Sequence, residues 1–257
     1  MYNTMMSGGS SSESLAKFGI GKFDEALGGG IPRGSVILLE DEIGTEATPF
    51  AVQFLHNGLV SGDYSYILTT ENILSYYDNL LSSFGSNPQM HLRTGRLRYI
   101  DGFSAPYGFT HDLDVTEGIE PIRDVSQPRV VNEAIRRSLL HIRDQSVGIR
   151  GMIDTLSSII HIGETKAVYS LLLHHLATTK NSRGVTLMIL HADAHNETLV
   201  RSIEHMCDGV IKISLPEQAE GENIQEVTVV KMKGRPESSN IKLKFTYSSG
   251  KIVPIYD

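Results

Sequence analysis

Residues 36–54 read VILLEDEIGTEATPFAVQF, and the reading of this stretch decides the fold. Val36 to Glu40 form a short apolar run of the kind that makes a buried strand. A polar turn follows, and a helix is expected to open near Thr48 and Pro49, because proline suits a first helical turn where its missing N–H costs nothing. A strand, a tight turn and a helix N-terminus form the layout of a phosphate-binding loop, where free backbone N–H groups and the helix dipole converge. The side chains depart from that chemistry. The pattern G-x-x-x-x-G-K-[ST] falls on Asp41, Glu46, Ala47 and Thr48, so only the final hydroxyl is kept.

The rest of the chain bounds what such a loop could serve. The 257 residues are 40% hydrophobic and 21% charged, enough to bury one sizeable core. A net charge of -7 argues against a nucleic-acid binder relying on clustered Lys and Arg. The single cysteine, Cys207, excludes an intrachain disulfide and fits a cytoplasmic setting. No apolar run reaches the ~18 residues of a membrane span. Residues 1–17 read as a flexible tail without the order of a secretion signal, and residues 18–257 as a single domain.

Working outward, a short helix is expected over Gly21–Leu27, followed by glycines and Pro32 leading into the first strand. Further strands are expected at Tyr64–Thr69, Arg96–Asp101, Gly148–Asp154, Val185–His191 and Gly209–Ser214. Helices fall between them, near 48–60, 73–84, 130–144, 169–183 and 198–206. Gly102–Arg129, with three prolines and no period, reads as a long surface loop. Gln225–Met232, Ile241–Tyr247 and Lys251–Ile255 alternate like antiparallel strands. The order predicts an α/β fold: a mostly parallel central sheet with helices on both faces and antiparallel strands at its C-terminal edge. Ligands of such sheets bind beyond the carboxyl ends of the strands, where Glu71, Asp154 and His191 lie.

Taken together, FGIGKFDEALGGGIPRGS, DEIGTEAT, YILTTEN, GMIDTLSS, HMCDGVIKI and VVKMKGR resemble a KaiC-like domain of the RecA superfamily of ATPases, in register from about Phe18 to Asp257. The resemblance implies a RecA-like P-loop NTPase fold, assembly into rings or filaments, and ATP held between neighbouring subunits. It implies Thr48 and Asp154 as the Mg²⁺ ligands, Asp154 through water, and Glu71 as the catalytic carboxylate that activates the attacking water. Gly44 and Thr45 fall in the loop expected to meet ATP. Lys231 and Lys233 match basic residues that reach a neighbour's γ-phosphate. The loop lysine has no counterpart, because Ala47 stands in its place.

A lysine–phosphate bond contributes roughly 1.5–3 kcal/mol. Asp41, Glu42 and Glu46 would each repel phosphates ~6 Å away by ~1–3 kcal/mol. The resulting expectation is a catalytically impaired member, a pseudo-ATPase with weak nucleotide binding. It would serve as a regulatory or structural subunit in a homo-oligomer or beside an active paralogue. The alternatives are a slow ATPase or ATP switch with a non-standard site, and a DNA-repair recombinase paralogue. In the bland reading Asp154 caps a turn and Glu71 is a first-turn acid of the next helix. His191, Asp193 and His195 would face one way, as metal ligands can, if the strand continued through them. Polar residues at a strand end that bind nothing are the bland reading there.

Overall fold

The computed structural model describes residues 15–109, 118–142, 147–216, 224–235, 237, 240–248 and 251–255. Its centre is a ten-stranded sheet. The strands, in chain order, are β3 (Ser35–Asp41), β4 (Tyr64–Thr69), β5 (Leu97–Asp101), β6 (Ile119–Pro121), β7 (Ile149–Asp154), β8 (Val185–His191), β9 (Gly209–Ser214), β10 (Ile224–Met232), β11 (Ile241–Ser248) and β12 (Lys251–Ile255). Their spatial order is β12-β11-β10-β9-β3-β8-β7-β4-β5-β6. Strands from β9 to β6 run parallel, and β10, β11 and β12 pair antiparallel along one edge. This is the expected mostly parallel α/β architecture.

β3 lies in the middle because all four of Val36, Ile37, Leu38 and Leu39 can be buried, two on each face. Ile37 and Leu39 meet the core under α1 (Gly21–Ala26), α2 (Ala47–Val60) and α3 (Leu74–Ser83). Val36 and Leu38 meet the other core, under α5 (Pro128–Leu140), α6 (Leu156–Ile162), α7 (Thr165–Ser182) and α8 (Glu197–Met206). Burying each such side chain stabilises the fold by about 1.5–3 kcal/mol, and a strand apolar on both faces can only sit inside a covered parallel sheet. Cys207 is part of this second core.

Several expectations need correction. Leu15–Ala16, expected in the tail, form β1 and pair antiparallel with β2 (Ile31–Pro32). Ala16 is fully buried, so the folded core includes residues ahead of Phe18, while residues 1–14 lie outside the described ones. The long loop over 102–129 contains a 3-10 turn at Ala105–Tyr107 and the parallel edge strand β6, and its last two residues already belong to α5. Pro121 is tolerated there because an edge strand has one unpaired side. A helix α4 (Pro88–Arg93) starts at Asn87, whose side chain accepts from the Met90 N–H at 3.0 Å. α6 starts at Thr155, which accepts from the Ser158 N–H.

Beneath the sheet, Arg150 on β7 is almost wholly buried. It donates to Asp63 Oδ2 at 2.6 Å and to the carbonyls of Phe54 and Lys17. Arg33 meets the same carboxylate at 2.8 Å. One carboxylate thus answers two guanidinium groups while the N-terminal segment and α2 are tied to the strand.

Candidate functional site

Four strands bring their last residues together at the carboxyl edge. Asp41 and His191 are register partners on β3 and β8, and Thr69 and Asp154 are partners on β4 and β7. Glu71 follows β4 by two residues. Beyond the β3 and β8 ends lies a cavity of about 410 Å³ lined by Asp41, Glu42, Ile43, Gly44, Thr45, His191, Asp193 and Ala194, with Glu71 behind the His191 ring.

The loop is a tight turn. The Thr45 N–H and hydroxyl both bond the Glu42 carbonyl, at 3.1 and 2.8 Å. Gly44 takes φ +90, which a side chain would resist. The Glu46 N–H, at the mouth of α2, is consumed by the Gln225 side chain of β10 at 2.8 Å. Two loop amides are therefore satisfied from within. Ile43 is 88% exposed at the tip.

Two carboxylates of this edge are held differently. Asp154 is buried, and its Oδ2 accepts from Thr48 Oγ1 at 3.0 Å and from Tyr77 OH at 2.7 Å. Burial pushes its carboxyl up to about 6 despite those two bonds. Glu71 Oε1 accepts from Thr155 and Ser158 hydroxyls, both at 2.7 Å, and its Oε2 meets His191 Nε2 at 3.0 Å. Burial works against its charge, but the bonds from His191, Ser158 and Thr155 prevail and hold its carboxyl down at about 2.

His191 links the loop to Glu71. Its Nδ1 lies 2.8 Å from Asp41 Oδ1 while Nε2 faces Glu71. Ionised carboxylates only accept, so both ring nitrogens must donate and the ring is an imidazolium. Asp41 first and Glu71 second raise its pKa to about 10, against the effect of burial. Its backbone N–H is fixed by Ser157 Oγ at 2.9 Å, which also meets His195 Nε2 at 2.9 Å. His195 stacks near His161, with ring centroids 4.7 Å apart.

The residues picked out in the sequence divide clearly. Thr48, Glu71 and Asp154 sit together at this edge, with Gly44 and Thr45 on the turn. Lys231 and Lys233 do not approach it. Lys231 pairs with Val210 near the amino end of β9, roughly 10 Å along the strands from Asp41. Its ammonium donates to the carbonyls of Glu204, His205 and Cys207, closing the C-terminal end of α8 in its own chain. Lys233 is exposed, 3.6 Å from Asp208. His191, Asp193 and His195 do not alternate along one strand. β8 ends at His191, and Ala192–Ala194 turn into a 3-10 helix. Among the described residues no group of three or more His, Cys, Asp or Glu is arranged to hold a metal. Sequence reasoning missed the partnership of Asp41 with His191, although both are the last residues of adjacent parallel strands. It also missed Tyr77, whose hydroxyl reaches Asp154 from α3.

The KaiC family of ATPases matches this sequence across residues 16–257. The chain belongs to that family. Its relatives include a UPF0273 protein of Pyrococcus horikoshii, 29% identical over 225 residues and matched across 86% of each chain. A UPF0273 protein of Thermotoga maritima is 26% identical over 225 residues, covering 86% of this chain and 88% of the other. A KaiC-like protein from P. horikoshii superposes with a TM-score of 0.71 at 22% identity, over 95% of this chain and 99% of that one. An uncharacterized protein of the same organism, crystallised with an unknown peptide, gives 0.71 at 17% identity, over 95% and 100%. At these identities the two solved structures speak for the fold of this KaiC-family chain alone. No described helix is long and apolar enough to cross a membrane.

Proposed function

We propose that this KaiC-family chain is a pseudo-ATPase that acts as a regulatory or structural subunit, in a homo-oligomer or beside an active paralogue. The observation that carries the reading is the content of the loop. Where a triphosphate would need donors and positive charge, the chain offers Asp41, Glu42 and Glu46, a lysine position occupied by Ala47, and two amides already bonded internally. The residues do not fit a bound triphosphate. Thr48 and Asp154, 3.0 Å apart, retain the donor types that suit Mg²⁺, but each is already bonded to the other. Together the missing lysine and facing acids lower phosphate affinity by several kcal/mol, at least about a thousandfold.

Titration calorimetry with ATP–Mg²⁺ tests this reading. No binding at micromolar concentrations and no phosphate release are expected, and micromolar affinity with turnover would overturn it.

A second reading rests on the intact grouping of Thr48, Asp154 and Glu71: a slow ATPase or ATP switch with a non-standard site, completed by a lysine such as Lys233 from a neighbour. In that case Glu71→Gln abolishes turnover and leaves the fold unchanged. The acidic balance argues against a DNA-binding role, and the absence of a salt-dependent shift of single-stranded DNA in a gel would exclude it.

A further inference from the structure

The crevice contains a cation of the chain's own. We propose that His191 is an internal lock, whose imidazolium takes the place of a bound cation between Asp41 of the loop and Glu71 and thereby closes the crevice to divalent metal ions. The proposal rests on the reading of this site as one that does not process ATP.

Three observations support it. First, the ring is bonded at both nitrogens, at 2.8 and 3.0 Å, to carboxylates from two different elements. β3 and β4 are separated in the sheet by β8 and β7, so no direct strand contact joins the loop to the Glu71 turn. His191 supplies that link.

Second, the position of the ring is over-determined. Ser157 fixes its backbone N–H, and Thr155 and Ser158 hold the far oxygen of Glu71. An imidazolium so held loses little side-chain freedom on forming the bridge.

Third, the neighbouring Thr48 and Tyr77 hydroxyls already satisfy Asp154 Oδ2. Each acid in the centre of this edge is thus answered by the protein itself. Take the ring away, and Asp41 and Glu71 face one another across the space it leaves. Two carboxylates that no longer face a cation attract a hydrated divalent ion, held through its waters because the width of an imidazole ring plus two hydrogen bonds exceeds the span of two direct metal–oxygen bonds.

The test compares Mn²⁺ binding by the full-length protein as wild type, His191→Ala, His191→Gln and His191→Lys, by calorimetry and by the Mn²⁺ paramagnetic signal. Removing one positive charge from between the carboxylates should tighten Mn²⁺ binding in His191→Ala and His191→Gln at least about tenfold. His191→Lys keeps a cation and should bind no better than wild type. Amide exchange across 41–48 should accelerate in His191→Gln, which keeps hydrogen-bonding capacity and is the milder of the neutral changes.

Equal Mn²⁺ affinity in wild type, His191→Ala and His191→Gln would overturn the proposal, as would unchanged exchange in the loop. ATP turnover by the wild type is measured separately. It would overturn the functional reading and leave the Mn²⁺ comparison to be judged on its own result.

Discussion

Replacing His191 with Gln removes a charge on which two carboxylates depend, and the loss should carry a pH signature. The groups facing the ring are Asp41 from β3, Glu71 from the turn after β4, Asp154 from β7 and His195 from the turn after β8. In the folded chain the His191 pKa is raised from 6.5 to about 10, by Asp41 first and then Glu71. A raised folded value means that the stabilisation is complete below pH ~6.5 and is lost as pH climbs toward about 10. Glu71 runs the other way. Bonds from His191, Ser158 and Thr155 outweigh its burial and lower it from 4.5 to about 2. Its contribution is therefore present above pH ~4.5 and is lost as pH falls toward about 2. Both contributions are complete only between pH ~4.5 and ~6.5.

The span from 6.5 to about 10 would correspond to ~5 kcal/mol at ~1.36 kcal/mol per pH unit. The His191 side chain is 39% exposed, however, and water screens its partners, so about 1–2 kcal/mol is the realistic yield. For a chain of this size each kcal/mol moves the melting temperature by about 2–4 °C. His191→Gln should therefore melt about 2–8 °C below wild type at pH 6, and the gap should close as pH approaches 10. Scanning calorimetry of both proteins from pH 5 to 10 measures it. A gap that stays constant across that range, or widens with pH, would refute the assignment of charge to this ring.

Other perturbations probe the scaffold. Asp63→Ala leaves buried Arg150 and partly buried Arg33 as neighbouring unpaired cations and should cost about 3–5 kcal/mol in urea unfolding; a loss below about 1 kcal/mol would mean that water reaches the pair. Lys231→Met uncaps the carbonyls at the end of α8 and should destabilise by about 1–2 kcal/mol. Lys233→Ala should leave the unfolding midpoint unchanged, and equal effects from the two would contradict the capping role. At Gly151 a Cβ would collide with the Tyr66 ring, whose hydroxyl meets Thr186 at 3.0 Å. Gly151→Ala should cost about 1–3 kcal/mol by overpacking, visible as a lower thermal midpoint.

The sheet was legible in the sequence because strands such as Ser35–Asp41 and Val185–His191 bury apolar residues on both faces and are bounded by turn residues. Elements that rest on caps were harder to see. α4 depends on Asn87 and α6 on Thr155, single residues that also suit turns. β6 has three residues, too few to show any period. Thr48, Glu71 and Asp154 were found because they follow strands in a recognisable order. Their occupancy by Tyr77 and His191 was not legible, since those contacts link positions 77 and 120 residues apart from their partners. The HADAH stretch left a shared metal-facing side open, because alternation implies a shared face only while the strand lasts, and β8 ends at its first histidine.

The Lys17 carbonyl receives both Arg150 Nη1 and Asn57 Nδ2. This turns Lys17 and its neighbours in β1 into a latch on α2, the helix that carries the loop at its other end. A protein shortened to begin at Phe18 would lose that shared acceptor, stranding one donor of a buried guanidinium and loosening the far end of α2. Any tag or fusion partner should therefore join ahead of Leu15, where it leaves the latch engaged.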